Sequence, residues 1–442
     1  MKGAPLPPAL DLRLVFGLLC LCLFAVPQRA QAQTKQTSIG RIVVDGASRF
    51  SETQVAAASG IKVGQTADDP TLAAAADRLS QTGAFSEVAY RYETQNGKMT
   101  VTLHVVEETK TMSCTFDNFL WFTPEEVQRT VSAEVPLYDG RVPVDGSLPQ
   151  AVATALEHML AQHRIAASVI YLPSGKLGSP PTEYRYSAKG DLPLITSVEY
   201  AGGPLDQTYF SIATERLLGH SFSSAYARSL AENDLDVIYQ NHGYLRAHFT
   251  EAKPIFSPGT NANDPGSAKV VFTVVPGVQY SWHGSDWNGN RIYSAAELDQ
   301  SLGMKAGDIA AADKISAGID AIHEVYGKKG YIAANLSPSQ IFDDGARQVR
   351  YSFQLDEGSQ YHMGTFTASG VDAQVAERIR KAWRLKAGDV YDASYIKEFA
   401  RKDLPGAIAG TPVASPTAHP SLSMHPNPST QTVDISFSLN RS

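Results

Sequence analysis

Two phrases far apart in this chain say nearly the same thing: "IYQNHGYLRAHF" (Ile238 to Phe249) and "VYGKKGYIAANL" (Val325 to Leu336). Each reads Tyr, three residues, Gly-Tyr, two residues, Ala, and neither holds a set of residues that could do chemistry. A second echo runs beside the first. "LGMKAGDIAAAD" (Leu302 to Asp313) returns as "LKAGDVYDASY" (Leu385 to Tyr395), and "SGIKVGQTADD" (Ser59 to Asp69) gives the same beat near the N-terminus. A spacing of roughly 80 residues is too long for a solenoid unit and suits a small domain copied in tandem.

The copy from Gly277 onward shows what each builds. "QYSWHGSD" (Gln279 to Asp286) starts as a strand, and Ser294 with Glu297 three residues later marks a helix start. Ile315, Ile319, Ile322 and Tyr326 share one helical face, and Gly330 ends that helix. Val349, Tyr351, Phe353 and Leu355 alternate with polar residues as a half-buried strand does. The order is strand, helix, helix, strand, strand. The last two strands are close enough for a hairpin, and two helices give the first strand a crossover and cover one sheet face.

The other copies repeat this with decreasing fidelity. The first has "IGRIVVDG", a box from Ser51 to Gln54, Leu72, Ala75 and Leu79 on its second helix, Gly83 and "KMTVTLHVVEE". The second has a box at Thr123 and Glu126 with Pro124 between, but His163-Arg164 stand where Gly is expected. The third has Asp206 as a cap and Gly243-Tyr244. The fifth lacks the Gly-Tyr phrase, and a Pro-rich stretch from Thr411 to Gln431 takes the place of the end of its second helix and its middle strand. The expected fold class is α+β: a tandem array of βααββ domains, each a three-stranded mixed sheet with two helices on one face. The boundaries read as 37–109, 110–190, 191–276, 277–358 and 359–442.

Ahead of the first copy, Lys2 and Arg13 precede an apolar run, Leu14 to Val26, which Ala30-Gln31-Ala32 follows. That pattern predicts a cleavable secretory signal over residues 1–32 and export from the cytoplasm. Its loss removes a net +2 (Lys2, Arg13 and Arg29 against Asp11) from a formal charge of −7, leaving about −9. So acidic a chain argues against nucleic acid and against an anionic membrane patch as partners. No later apolar run is long enough for a membrane span. Cys114 is left alone, so no internal disulfide can form, and it reads as a buried small apolar residue.

The βααββ unit, with its capped first helix, Gly-Asp connection and Tyr-x-x-x-Gly-Tyr closure, resembles the polypeptide-transport-associated (POTRA) domain. Tyr239, Gly243, Tyr244, Ala247 and Tyr326, Gly330, Tyr331, Ala334 carry the resemblance. A tandem of five after a signal resembles the periplasmic portion of outer-membrane protein assembly factors. In that family a membrane β-barrel normally follows the tandem, so a chain stopping at Ser442 reads as a barrel-less relative or a truncated one. The resemblance implies partners among outer-membrane protein precursors and assembly-complex subunits, and leaves room for a separately encoded β-barrel. It also implies that the middle strand is an edge open to an extended partner. That places Tyr244, Leu245, Arg246, Ala247, His248 and Phe249, and Tyr331, Ile332, Ala333, Ala334, Asn335 and Leu336, as candidate partner-binding residues.

Catalytic and cofactor chemistry finds no support. Asp286, Asn288, Asn290, Ser294 and Glu297 fall at calcium-loop positions, but Arg291 stands where such a loop needs Gly, so a polar turn before a capping box is preferred. His158 and His163 are five apart and diverge on a helix. His419 and His425 have no carboxylate or Cys beside them. Trp282 and Trp287 read as filling a joint between domains. No phosphate loop, nucleophile elbow or zinc-type Cys pair occurs. The sequence therefore predicts a non-enzymatic scaffold without cofactor or metal, binding outer-membrane polypeptides or assembly partners through sheet edges. The alternative is a rigid spacer or docking subunit of an envelope or secretion complex.

Overall fold

The structure is a computed structural model describing residues 37–175, 178–261, 264–414 and 419–440; the expected signal segment lies outside these residues. They divide into two compact bodies. One ends at Thr109 and takes in Asp145–Ser147; the other holds Lys110–Val144 and the chain from Leu148 onward.

The smaller body holds one mixed sheet. Its central strand, Lys98–Glu107, pairs parallel with Thr37–Asp45 and antiparallel with Phe85–Gln95. A two-residue strand, Thr66–Ala67, pairs with the outer side of Thr37–Asp45. The helices Glu52–Ser59 and Asp69–Gln81 intervene. Ser51 and Gln54 form the expected capping box, and Gly60 closes the first helix at φ +75°. Met99, Val101, Leu103 and Val105 alternate inward from the central strand and are buried.

The larger body repeats the plan in four further sheets. In each the last strand is central, the first is its parallel neighbour and the middle one its antiparallel neighbour. The central strands are Glu183–Gly190, Ser267–Val275, Gln348–Asp356 and Thr432–Asn440. Their first strands are Thr111–Asp117, Leu194–Ala201, Ser281–Asn288 and His362–Ser369. Their inward residues meet an apolar helix face. Around Gln348–Asp356, buried Val349, Tyr351, Phe353 and Leu355 pack with Leu298, Leu302, Ile315, Ile322 and Tyr326. Burial of that kind stabilises by about 1.5–3 kcal/mol per large side chain.

Several expectations are corrected here. The Pro-rich stretch does not remove a strand: His419–Asn427 pairs along its whole length with Thr432–Asn440. Pro420 and Pro426 are tolerated because the strand lies at the sheet's edge, where their missing N–H groups leave the ladder intact. Trp282 and Trp287 do not fill a joint. Trp282 is buried and stacks on Tyr351, and Trp287 stacks on Phe353 and donates its indole N–H to Asp299. Cys114 is half-buried instead of fully enclosed, and burial pushes its thiol up to about 12.

Candidate functional site: free sheet edges and the joints between sheets

The second echoed phrase closes one edge of the sheet. In "KAGD", Lys305–Asp308, Gly307 turns at φ +91° and donates to the Trp282 carbonyl at 2.9 Å, while the Asp308 carbonyl accepts from Trp282 N–H at 2.7 Å. The Asp308 carboxylate accepts from Lys305 N–H at 2.9 Å and fixes the turn. Lys386–Asp389 repeats each of these bonds around Met363. Gly64 and Gln65 do the same around Ile39, and Gly219 and His220 around Ile195. The outer edge of the first strand is thus occupied at its start. The middle strand is left as the open edge, since no strand pairs with its outer side among the described residues.

The first echoed phrase does a different job from the one expected. Tyr326, Gly330 and Tyr331 form a Schellman closure: Tyr331 N–H donates to the Tyr326 carbonyl at 3.0 Å and Gly330 N–H to the Gly327 carbonyl at 3.1 Å. Gly330 sits at φ +82°, and the Tyr326 and Tyr331 rings meet edge-on at 6.2 Å. Tyr239, Gly243 and Tyr244 match this bond for bond, with Gly243 at φ +83° and the rings at 5.8 Å. The spacing Tyr-x-x-x-Gly-Tyr is therefore that of a helix end whose first and last apolar residues touch.

The closure then holds the following sheet. Tyr280 N–H donates to the Gly243 carbonyl and Tyr361 N–H to the Gly330 carbonyl, each at 2.9 Å. The Gln279 and Gln360 side-chain amides donate to the carbonyls of His242 and Lys329, again at 2.9 Å. Leu245 packs against the core around Trp282, and Ile332 against the core around Tyr391. Arg246 lies over the Phe342 ring at 3.9 Å and donates to Asp344. An earlier joint uses other chemistry. The buried Asp117 carboxylate accepts from the hydroxyls of Ser223 and Ser224, at 2.8 and 2.9 Å, and from the Ser224 amide.

Of the twelve candidate partner-binding residues, Tyr244, Leu245, Arg246, Ala247 and Tyr331, Ile332, Ala333, Ala334 are therefore not strand. They form the turn after the helix and part of the joint, because the Schellman closure consumes the first residues after the glycine. His248 and Phe249 form a two-residue strand, and Asn335 and Leu336 begin the strand Asn335–Asp343. The middle strands that form the open edges are Phe85–Gln95, Ala167–Ser174, Lys253–Ser257, Asn335–Asp343 and His419–Asn427. The sequence held an unread signal for the joint: Gly277-Val278-Gln279-Tyr280 and Gly358-Ser359-Gln360-Tyr361 repeat the Gln and Tyr that make it, with both glycines at φ +65°.

The residues weighed for metal or catalysis have structural duties. Asp286 pairs with Arg350 at 2.9 Å, Ser294 and Glu297 form a capping box, and Asn290 donates to the Tyr293 carbonyl. His158 pairs with Glu134, His163 packs against Phe122, and His425 bonds Ser436. Among the described residues no group of three or more His, Cys, Asp or Glu is placed to hold a metal ion, and no helix is long and apolar enough to cross a membrane.

A sheet with a crossover of two helices, an edge closed by a Gly turn and an edge left open defines a class of module built for tandem attachment. The family model described as POTRA, surface antigen variable number repeat, matches residues 37–108 and 280–358. Those two stretches hold the first and the fourth sheet, whose strand order the other three sheets repeat. The chain is similar to a "Putative outer membrane protein assembly factor" of Treponema pallidum (strain Nichols), 26% identical over 200 residues, which are 42% of this chain and 24% of that protein. The match thus spans about a quarter of the relative's length. Among solved structures it is similar to Haemophilus influenzae BamA POTRA3-5 (20% identity, 56% of this chain and 96% of that chain, TM-score 0.42). It is also similar to POTRA1-3 of the periplasmic domain of Omp85 from Anabaena (12% identity, 73% and 96%, TM-score 0.21).

Proposed function

We propose that this chain is a non-enzymatic periplasmic scaffold of outer-membrane protein assembly, which receives extended outer-membrane polypeptides through the open edges of its POTRA sheets. The observation that carries the reading is the asymmetry of each sheet, in which the outer edge of the first strand is covered at its start by a turn or a strand of two or three residues and the middle strand is open. An open strand offers backbone N–H and C=O groups, which pair with an extended segment largely regardless of its sequence. Such a surface suits unfolded clients that share strand propensity and little else.

The spacer reading draws on the joints. Two consecutive joints with the same backbone and glutamine bonds favour fixed geometry between sheets. A fixed array also serves a scaffold, since it holds edges at set distances. The test is capture of a defined probe, an unfolded outer-membrane β-barrel polypeptide diluted from urea, by the full chain carrying photo-crosslinking residues on its middle strands. Crosslinks from strand positions support client reception. Absence of any crosslink, with the chain folded, leaves the spacer.

A further inference from the structure

We infer that one of the five open edges, Phe85–Gln95, is the docking strand for an extended polypeptide, and that prolines blunt the other four. The inference rests on the edge-pairing reading above and names its place. In a strand of L-residues, the side of the sheet on which a side chain lies fixes the in-plane direction of that residue's own N–H and C=O. The five middle strands run alike against equivalent central strands, with the same face covered by helices. Residues in register with central-strand residues that face the helices therefore turn their N–H outward in all five.

Proline occupies such positions in four strands. Pro173 pairs with Tyr184, Pro254 with Val270, Pro338 with Phe353, and Pro420 and Pro426 with Leu439 and Val433. Each removes an outward donor without breaking an inward one, and its ring stands in the way of an incoming strand. The same register in Phe85–Gln95 holds Val88, Tyr90, Tyr92 and Thr94, opposite Val105, Leu103, Val101 and Met99. Their outward N–H groups are intact along a strand of 11 residues.

Charge says what kind of segment fits. Glu87, Arg91 and Glu93 share the opposite, exposed face of this strand, and none has an ion-pair partner among the described residues. A strand laid alongside places its own side chains directly opposite these. The fitting occupant is an extended segment with Lys or Arg opposite Glu87 and Glu93, an acidic or polar residue opposite Arg91, and apolar residues beside Tyr90 and Tyr92.

The experiment uses the full chain with a photo-crosslinking residue in place of Arg91, or of its counterparts Leu172, Ile255, Ile341 and Ser423, and the same unfolded barrel polypeptide as probe. Crosslinking is expected mainly from position 91. Tyr92→Pro, which copies what the other edges carry, should lower it about tenfold. Pro338→Thr should raise crosslinking from position 341, a gain that loss of folding cannot mimic. Equal crosslinking from all edges, or a maximum at another edge, overturns this inference and leaves client reception standing. Crosslinks joining two copies of the chain at position 91 overturn it in favour of self-pairing. No crosslink from any position overturns both.

Discussion

The amide of Tyr361 donates to the carbonyl of Gly330 at 2.9 Å, so the residue that ends one helix also holds the first strand of the following sheet. At φ +82° Gly330 already occupies backbone space that costs an L-residue about 1–2 kcal/mol. A Cβ there would also lie 2.6 Å from the Tyr361 carbonyl oxygen. Gly330→Ala is therefore expected to cost about 3 kcal/mol and to expose the Tyr361 amide to hydrogen exchange. Gly303, at φ +74° with open space around it, is the control. Gly303→Ala should cost about 1 kcal/mol and leave Tyr361 protected.

Arg164 shows the opposite case. It closes its helix with the same pair of bonds, Ile165 N–H to the Leu160 carbonyl at 2.9 Å and its own N–H to the Ala161 carbonyl at 3.0 Å, but at φ +60° with a side chain. Arg164→Gly should relieve that strain at some cost in unfolded-state entropy, for a net gain of roughly 0.5–1 kcal/mol. Urea unfolding followed by exchange at Ile165 measures it.

What the sequence revealed, and what it hid, follows from the range of the forces involved. Helix ends were legible because they are local: Ser294 and Glu297, Thr123 and Glu126, and Gly330 each act within a few residues. Alternation in Val349 to Leu355 located a central strand for the same reason. The candidate edge residues were misplaced because Leu245 and Ile332 look like strand residues, while their partners, the cores around Trp282 and Tyr391, lie far along the chain. Proline counts against a strand in a local reading. The sheet edge that makes Pro420 and Pro426 acceptable exists only after folding.

Glu357 contributes a pH dependence to this arrangement. Burial would raise its carboxyl, but N–H bonds from Ile292 and Arg291 and the hydroxyl of Tyr326 outweigh burial and hold it below the ordinary value. A carboxyl lowered on folding contributes stability that is complete above its unfolded pKa and lost as pH falls through the folded one. The thermal midpoint of the wild-type chain should therefore fall as pH drops through and below the ordinary carboxylate range, and Glu357→Gln should flatten part of that slope. At neutral pH the variant should lose about 1–2 kcal/mol, since the amide is a weaker acceptor for three donors.

Proline at Leu245 or Ile332 tests the joint, since neither residue lies in a strand and each packs against the core of the following sheet. Truncation to Ala isolates that packing. Leu245→Ala and Ile332→Ala are each expected to cost about 1–2 kcal/mol, less than a fully buried leucine because both are half-exposed. Arg246 divides the two joints. Its guanidinium stacks on Phe342 at 3.9 Å and reaches Asp344 at 3.3 Å, whereas Ala333 stands at its place in the second phrase. Arg246→Ala should loosen the earlier joint by about 1 kcal/mol, mostly through lost stacking, because the ion pair is solvent-exposed. Hydrogen exchange reads each joint separately: Leu245→Ala and Arg246→Ala should deprotect the Tyr280 amide, and Ile332→Ala that of Tyr361. Deprotection of both amides by any one substitution would mean that the two joints open together.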